Sequence, residues 1–168
     1  MKEPFVILVL LLTVFQPSSL RAKGITTRIV IEGLNLSAPI EITDPQILSN
    51  FAVWTGPGTS LNESAGQTTY PDGFIIRWPE GPTAEPSKEL PQYQVSFYTT
   101  DRKGPSYVVS YSYEPLTKSG YVYLPGPAEK WYRLNVSSIS RGVEGHWFLA
   151  RALWDSTAEP LILKAEVK

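Results

Sequence analysis

Few residues in this chain can do covalent chemistry, and their spacing restricts it further. The single histidine, His146, sits between Gly145 and Trp147. One imidazole does not make a two-histidine metal site. As a general base for a serine it would need an orienting acid, for which Asp155 is the candidate, and an oxyanion pocket. It reads as a structural or solvated histidine. Cysteine is absent, which excludes thiol catalysis, zinc-thiolate centres and disulfides together. Glycoside hydrolysis needs only two carboxylates facing each other across a cleft. Glu41, Asp72, Glu80 and Asp155 are the acids nearest predicted strands or turns, although most acidic side chains are simply solvated. No D-x-D-x-D-G calcium loop occurs, and Asp72-Gly73 is a turn signal. No metal or redox cofactor is expected.

The stretch FAVWTGPGTS, residues 51–60, looks like a phosphate cradle but lacks its parts. A nucleotide-binding loop of the G-x-x-x-x-G-K-[ST] type needs a lysine after its last glycine, whereas Gly58 is followed by Thr59-Ser60. The dinucleotide fingerprint G-x-G-x-x-G fails at Leu61, and the nucleophile elbow G-x-S-x-G does not occur. Gly-Pro-Gly is therefore a bend, with proline fixing φ and glycine accepting positive φ.

Aromatic residues offer recognition rather than reaction. Trp54 and Trp78 flank a polar, glycine-containing segment, 55–73, and Trp78 opens a second irregular segment, 79–91. Long irregular segments in a domain are often functional, and the prediction is that these two form one rim with both indoles at its base. Tyr111 and Tyr113 lie in a tyrosine-rich stretch that forms either core or a stacking platform. The candidate ligand-binding residues are thus Trp54, Trp78, Tyr111 and Tyr113, each weighed against plain packing. Trp131, Trp147 and Trp154 are assigned to the core.

The elements that must position these residues begin after a leader. Lys2 precedes an apolar stretch from Phe5 to Phe15, then Pro17 and small residues, which is the layout of a secretory signal peptide. The stretch falls short of the ~20 residues of a spanning helix. Residues 1–22 are read as signal peptide and 23–168 as a single β-rich domain, with no membrane span after removal of the leader. Cysteine-free export points to a secreted or periplasmic, bacterial setting. The sequons at Asn35, Asn62 and Asn135 are read as incidental. The net charge is −1 and no basic block exists, so a nucleic-acid partner is not expected.

Alternating segments rich in Val, Ile, Tyr, Trp and Thr predict strands at 26–32, 38–43, 74–78, 92–100, 106–113, 121–124, 131–136, 146–154 and 161–167. One short helix is predicted, capped by Thr43 or Asp44 with Pro45 in its first turn. Residues 144–154 fit a helical period as well, but the alternation at 161–167 favours strand. The tyrosine-rich stretch reads as a three-strand meander in which Tyr113 faces Tyr121, Tyr111 faces Tyr123 and Tyr93 faces Tyr113, gathering the aromatics on one face. The expected class is mostly β, a single-domain antiparallel β-sandwich or barrel with one short helix. The expected function is non-catalytic binding of a glycan or protein outside the cytoplasm. A small carboxylate-dependent hydrolase and a structural cell-envelope component are the alternatives.

Overall fold

The computed structural model describes residues 24–59 and 73–167. The chain is mostly β, as expected, and is built on one antiparallel sheet. Its elements in chain order are β1 (Thr26–Glu32), β2 (Ile40–Ile42), α1 (Pro45–Leu48), β3 (Pro82–Thr83), β4 (Tyr93–Thr99), β5 (Tyr107–Glu114), β6 (Ser119–Tyr123), α2 (Tyr132–Ser138), β7 (Trp147–Leu149) and α3 (Ala152–Ala165). The order across the sheet is β2-β1-β4-β5-β6-β7-β3, so the meander β4-β5-β6 lies at its centre and β2 and β3 are its edges.

Period-two alternation divides these strands into two faces. Ile29, Ile31, Val95, Phe97, Val109, Tyr111, Val122 and Phe148 are all buried on one of them. α3 lies in the layer over this face, with Trp154, Ala158 and Ile162, four residues apart, buried in the same cluster. Trp154 meets Phe51 and Tyr111 edge-on, at ring-centroid distances of 5.2 and 5.8 Å. The segments around Phe51 and Val53 and from Phe74 to Trp78 complete the layer.

Residues 161–167, read as a strand, are helical up to Ala165, and so is 152–154. Pro160 and the turn-like Asp155-Ser156-Thr157 argue locally against a helix. The buried trio at 154, 158 and 162 outweighs them, because burying an indole and two aliphatic groups contributes several kcal/mol. Residues 131–136, also read as a strand, belong mostly to α2. The side chain of Asn135 explains why. Its Oδ1 accepts from the Val108 N–H at 2.9 Å and its Nδ2 donates to the Val108 carbonyl at 2.7 Å. β6 pairs with β5 only as far as Ser110, opposite Tyr123, and the amide of Asn135 takes the next strand's place at Val108. Residues 74–78 form a single bridge, Ile76 to Ala150, and then a 3-10 turn.

The register of the meander differs from the expectation by one residue between β5 and β6. Tyr111 faces Val122 and Tyr113 faces Gly120, while Ser110 and Ser112 face Tyr123 and Tyr121. A slip of one exchanges faces, so Tyr121 and Tyr123 lie opposite to Tyr111 and Tyr113. The hairpin decides this: Glu114 pairs with Ser119, and Lys118 takes a positive φ of 51° to close the loop. Tyr93 faces Tyr111 rather than Tyr113. That is a shift of two, which leaves Tyr93, Val95 and Phe97 on the core face as expected.

Candidate functional site

The outer face of the sheet holds a polar groove. One row of residues crosses five strand pairings in register: Glu32, Gln94, Ser110, Tyr123, Trp147 and Thr83. Strands lie 4.7–4.9 Å apart, so Gln94 and Trp147 are about 14 Å from each other along the row. Three adjoining depressions open on this row and share Gln92. The first is walled by residues 85–88 and Leu90 over Ser112 and Trp147. The second lies over Ser110 and Tyr123 between Glu85, Glu129 and Gly145. The third runs past Gln94 to Trp131, Glu32 and Leu34.

Its two indoles are held differently. Trp147 is half-buried on β7, and its ring lies 5.0 Å from that of Tyr123 with the planes 37° apart, so the two form a continuous aromatic surface. Trp131 precedes α2 and stands over the other end, where its Nε1 donates to Gln94 Oε1 at 2.7 Å. Gln94 in turn donates from Nε2 to Glu32 at 2.9 Å. The wall between them depends on Gly126 and Gly145: a side chain on Gly126 would lie 3.2 Å from the Gly145 Cα. The Gly145 N–H and the His146 carbonyl bond Leu124, fixing that contact.

Ser112 is only 3 % exposed and lines the groove, yet its hydroxyl makes no hydrogen bond among the described residues. Glu85 and Glu129 are exposed and have no ion-pair partner among those residues. Both act on Tyr123. Burial raises the pKa of its phenol, and the hydrogen bond and negative charge of Glu129 raise it further, with a smaller contribution from Glu85.

The aromatic residues nominated from sequence lie elsewhere. Tyr111 is fully buried, and its hydroxyl donates to Asp155. Trp78 is buried against Phe74 and Phe148, with centroids at 6.1 and 5.4 Å. Trp54 is half-buried and donates from Nε1 to the Gly24 carbonyl at 2.6 Å. Tyr113 is half-buried in a separate apolar cleft with Tyr93, Ile162, Leu163 and Glu159. The structure therefore does not bring these four together, and none of them lines the groove. The proposed rim is described only in part, because residues 60–72 fall outside the described ones; of the second segment, 85–88 and Leu90 wall the groove.

Nor do the titratable candidates converge. Glu41 pairs with Arg28 and Glu80 with Arg77 at the surface, and Asp72 lies outside the described residues. Asp155 is buried and accepts from Tyr111 and from the Gly120 N–H. Exposed His146 approaches the carbonyls of Val143 and Glu144 instead. Among the described residues no group of three or more His, Cys, Asp or Glu side chains is placed to hold a metal ion, and no helix is long and apolar enough to cross a membrane.

The Gly-Pro-Gly segment is a bend, with Gly56 at φ 98° and Gly58 at φ 71°. It is clamped by buried Arg141, whose guanidinium donates to the carbonyls of Val53, Thr55 and Pro57 and to the Tyr107 hydroxyl. The same cation lies 4.9 Å from the rings of Phe74, Trp78 and Tyr107.

Sequence reasoning missed Trp131, Trp147 and Tyr123 because it placed both indoles in core strands and Tyr123 on the core face. The polar alternation Ser110, Ser112 between Tyr111 and Tyr113 was the available signal for a solvated face. Comparison with family models, with curated protein sequences and with solved structures returns no significant match.

Proposed function

We propose that this chain is an exported, non-catalytic binding domain whose outer groove takes a glycan. The row Gln94, Ser110, Tyr123, Trp147 carries this reading, with Trp131 standing over its Gln94 end. A sugar ring presents apolar C–H faces and a rim of hydroxyls. Indoles stack on the former, while amides, hydroxyls and carboxylates bond the latter. A floor of Gln92, Ser110 and Ser112 between two tryptophans supplies both, over a length suited to a short oligosaccharide. A protein partner would use the aromatic surface but would have to leave much of this polar floor imperfectly paired, which costs affinity.

The reading is tested by titrating the intact protein with a panel of neutral and charged oligosaccharides, followed by calorimetry and tryptophan fluorescence. Trp147→Ala and Trp131→Ala are each expected to weaken binding about ten-fold or more, as for anchoring aromatics, with little change in the unfolding midpoint. No binding across the panel, or binding that survives both substitutions, rejects the reading. Glu85 and Glu129 face the same groove, so release of reducing ends in these samples distinguishes the hydrolase alternative. Sequencing the N-terminus of the exported protein tests removal of residues 1–22.

A further inference from the structure

The groove is not electrically neutral, and its charge is concentrated where the aromatic surface lies. Glu85 and Glu129 line the depression over Tyr123 and Trp147, which no lysine or arginine lines. Lys88 lines the neighbouring depression, and Lys130 lies 4.3 Å from the Trp131 ring at the other end. Two carboxylates without ion-pair partners among the described residues thus flank a tyrosine–tryptophan pair whose rings are 5.0 Å apart. Electron-rich ring faces and carboxylates together attract an ammonium group more than either does alone. A neutral sugar at this position would leave both without a counter-charge, since Glu129 is held only by neutral donors, the Gly126 N–H and the Tyr123 hydroxyl.

Ser112 gives the same region a polar anchor. It is 97 % buried, has no hydrogen-bond partner among the described residues, and lines the depression that shares Glu85, Gln92 and Trp147 with the acidic one. Its oxygen is not among the fully buried polar atoms left without a partner, which are Trp78 Nε1 and Trp154 Nε1 among the described residues, so it is open to a ligand hydroxyl or amide entering this depression.

We propose that the Tyr123–Trp147 end of the groove selects a sugar bearing a free ammonium group, that is, an amino-sugar oligomer, with the ammonium between Glu85 and Glu129. This rests on the glycan reading above and names its ligand class. The sugar's C–H face lies on Trp147, its ammonium faces the two carboxylates, and a neighbouring hydroxyl reaches Ser112.

The test compares a short β-1,4-linked glucosamine oligomer with its fully N-acetylated counterpart of the same length, titrated into the full-length mature protein at low and raised salt. The unacetylated oligomer is expected to bind about ten-fold more tightly at low salt, a preference on the scale of a partly desolvated cation–π contact. Raised salt should shrink that preference. In the Glu85→Gln/Glu129→Gln variant the two oligomers should bind within about two-fold of each other. Both glutamates are exposed, so the variant is expected to fold, and its unfolding midpoint is checked first. Equal binding of the two oligomers to the native protein overturns the proposal while leaving the glycan reading standing, and so does a preference that survives the double substitution. Binding of a lysine-rich peptide or of choline, with neither oligomer bound, also overturns it. If no oligosaccharide in the panel binds, the glycan reading fails with it.

Discussion

The hydroxyl of Tyr111 donates a 2.8 Å hydrogen bond to Asp155, 44 residues further along the chain, and through it the central strand is bonded to the helix that covers it. Both residues are buried, and the same carboxylate accepts the Gly120 N–H from the neighbouring strand at 3.1 Å. Tyr111→Ala removes a buried ring together with this bond and is expected to cost about 3 kcal/mol or more in urea unfolding. Tyr111→Phe keeps the ring and leaves Asp155 one donor short, at about 1–3 kcal/mol. Neither should alter affinity in the groove, which lies on the other face of the sheet.

Burial raises the pKa of Asp155 above its ordinary value of 3.8, against the opposing effect of the hydrogen bonds from Tyr111 and Gly120. The folded state therefore holds this proton more tightly than the unfolded state does. Its contribution to stability is greatest below the ordinary carboxylate pKa and declines as pH rises through the folded value. Asp155→Asn keeps an acceptor for Tyr111 but turns an N–H toward Gly120 or leaves that donor unpaired. It should lower stability by about 1–3 kcal/mol at neutral pH and remove this decline. Urea titrations of both proteins in parallel between mildly acidic and neutral pH would show the two curves converging as pH rises. Parallel curves would mean that Asp155 is not the titrating group.

The contrast between what was and was not legible in the sequence follows the range of the interactions involved. β1 coincides with the alternation at 26–32, and β4 and β5 lie within one residue of theirs, because each is rich in Ile, Val and aromatic side chains that suit a strand whatever its partner. α1 was equally plain: the Asp44 carboxylate accepts from the Gln46 N–H and Pro45 occupies its first turn. α2 and α3 were not legible because distant residues stabilise them, Val108 by way of Asn135 and the sheet's core by way of Trp154. The groove was hidden for a related reason. A single left-handed residue, Lys118, sets the β5-β6 register, and that register alone decides whether Tyr123 faces core or water.

Arg141 predicts a cooperative loss. Its guanidinium satisfies three loop carbonyls and a phenol while packed among aromatic rings, and among the described residues no side-chain carboxylate accepts from it; Glu144 accepts instead from the Arg141 backbone N–H at 2.6 Å. Burial lowers its pKa, an effect partly offset by Tyr107. Arg141→Met fills similar volume but strands the carbonyls of Val53, Thr55 and Pro57, so a loss of about 3 kcal/mol or more is expected. Hydrogen exchange should reveal the change first in residues 53–59, before the central strands respond.

Asn135 makes the last prediction, and it joins chemistry to fold. The tripeptide Asn135-Val136-Ser137 is an N-glycosylation acceptor by pattern, yet Asn135 is fully buried and its amide is bonded on both sides to the backbone of Val108. A glycan attached to Nδ2 would have to displace that bond and push α2 off the sheet. Asn35, in the other described sequon, donates from Nδ2 to both Tyr93 and Glu166, each at 2.8 Å. Expression through a glycosylating secretory pathway, followed by peptide mapping, should find both asparagines unmodified in folded protein. Asn135→Asp retains the acceptor for the Val108 N–H but faces a carboxylate toward the Val108 carbonyl, a repulsive buried contact. It should therefore destabilise by about 2 kcal/mol or more, whereas Asn35→Asp, at the partly exposed rim, should cost less. Equal losses at the two positions would show that the Asn135 clamp contributes no more than the part-buried contacts of Asn35 with Tyr93 and Glu166.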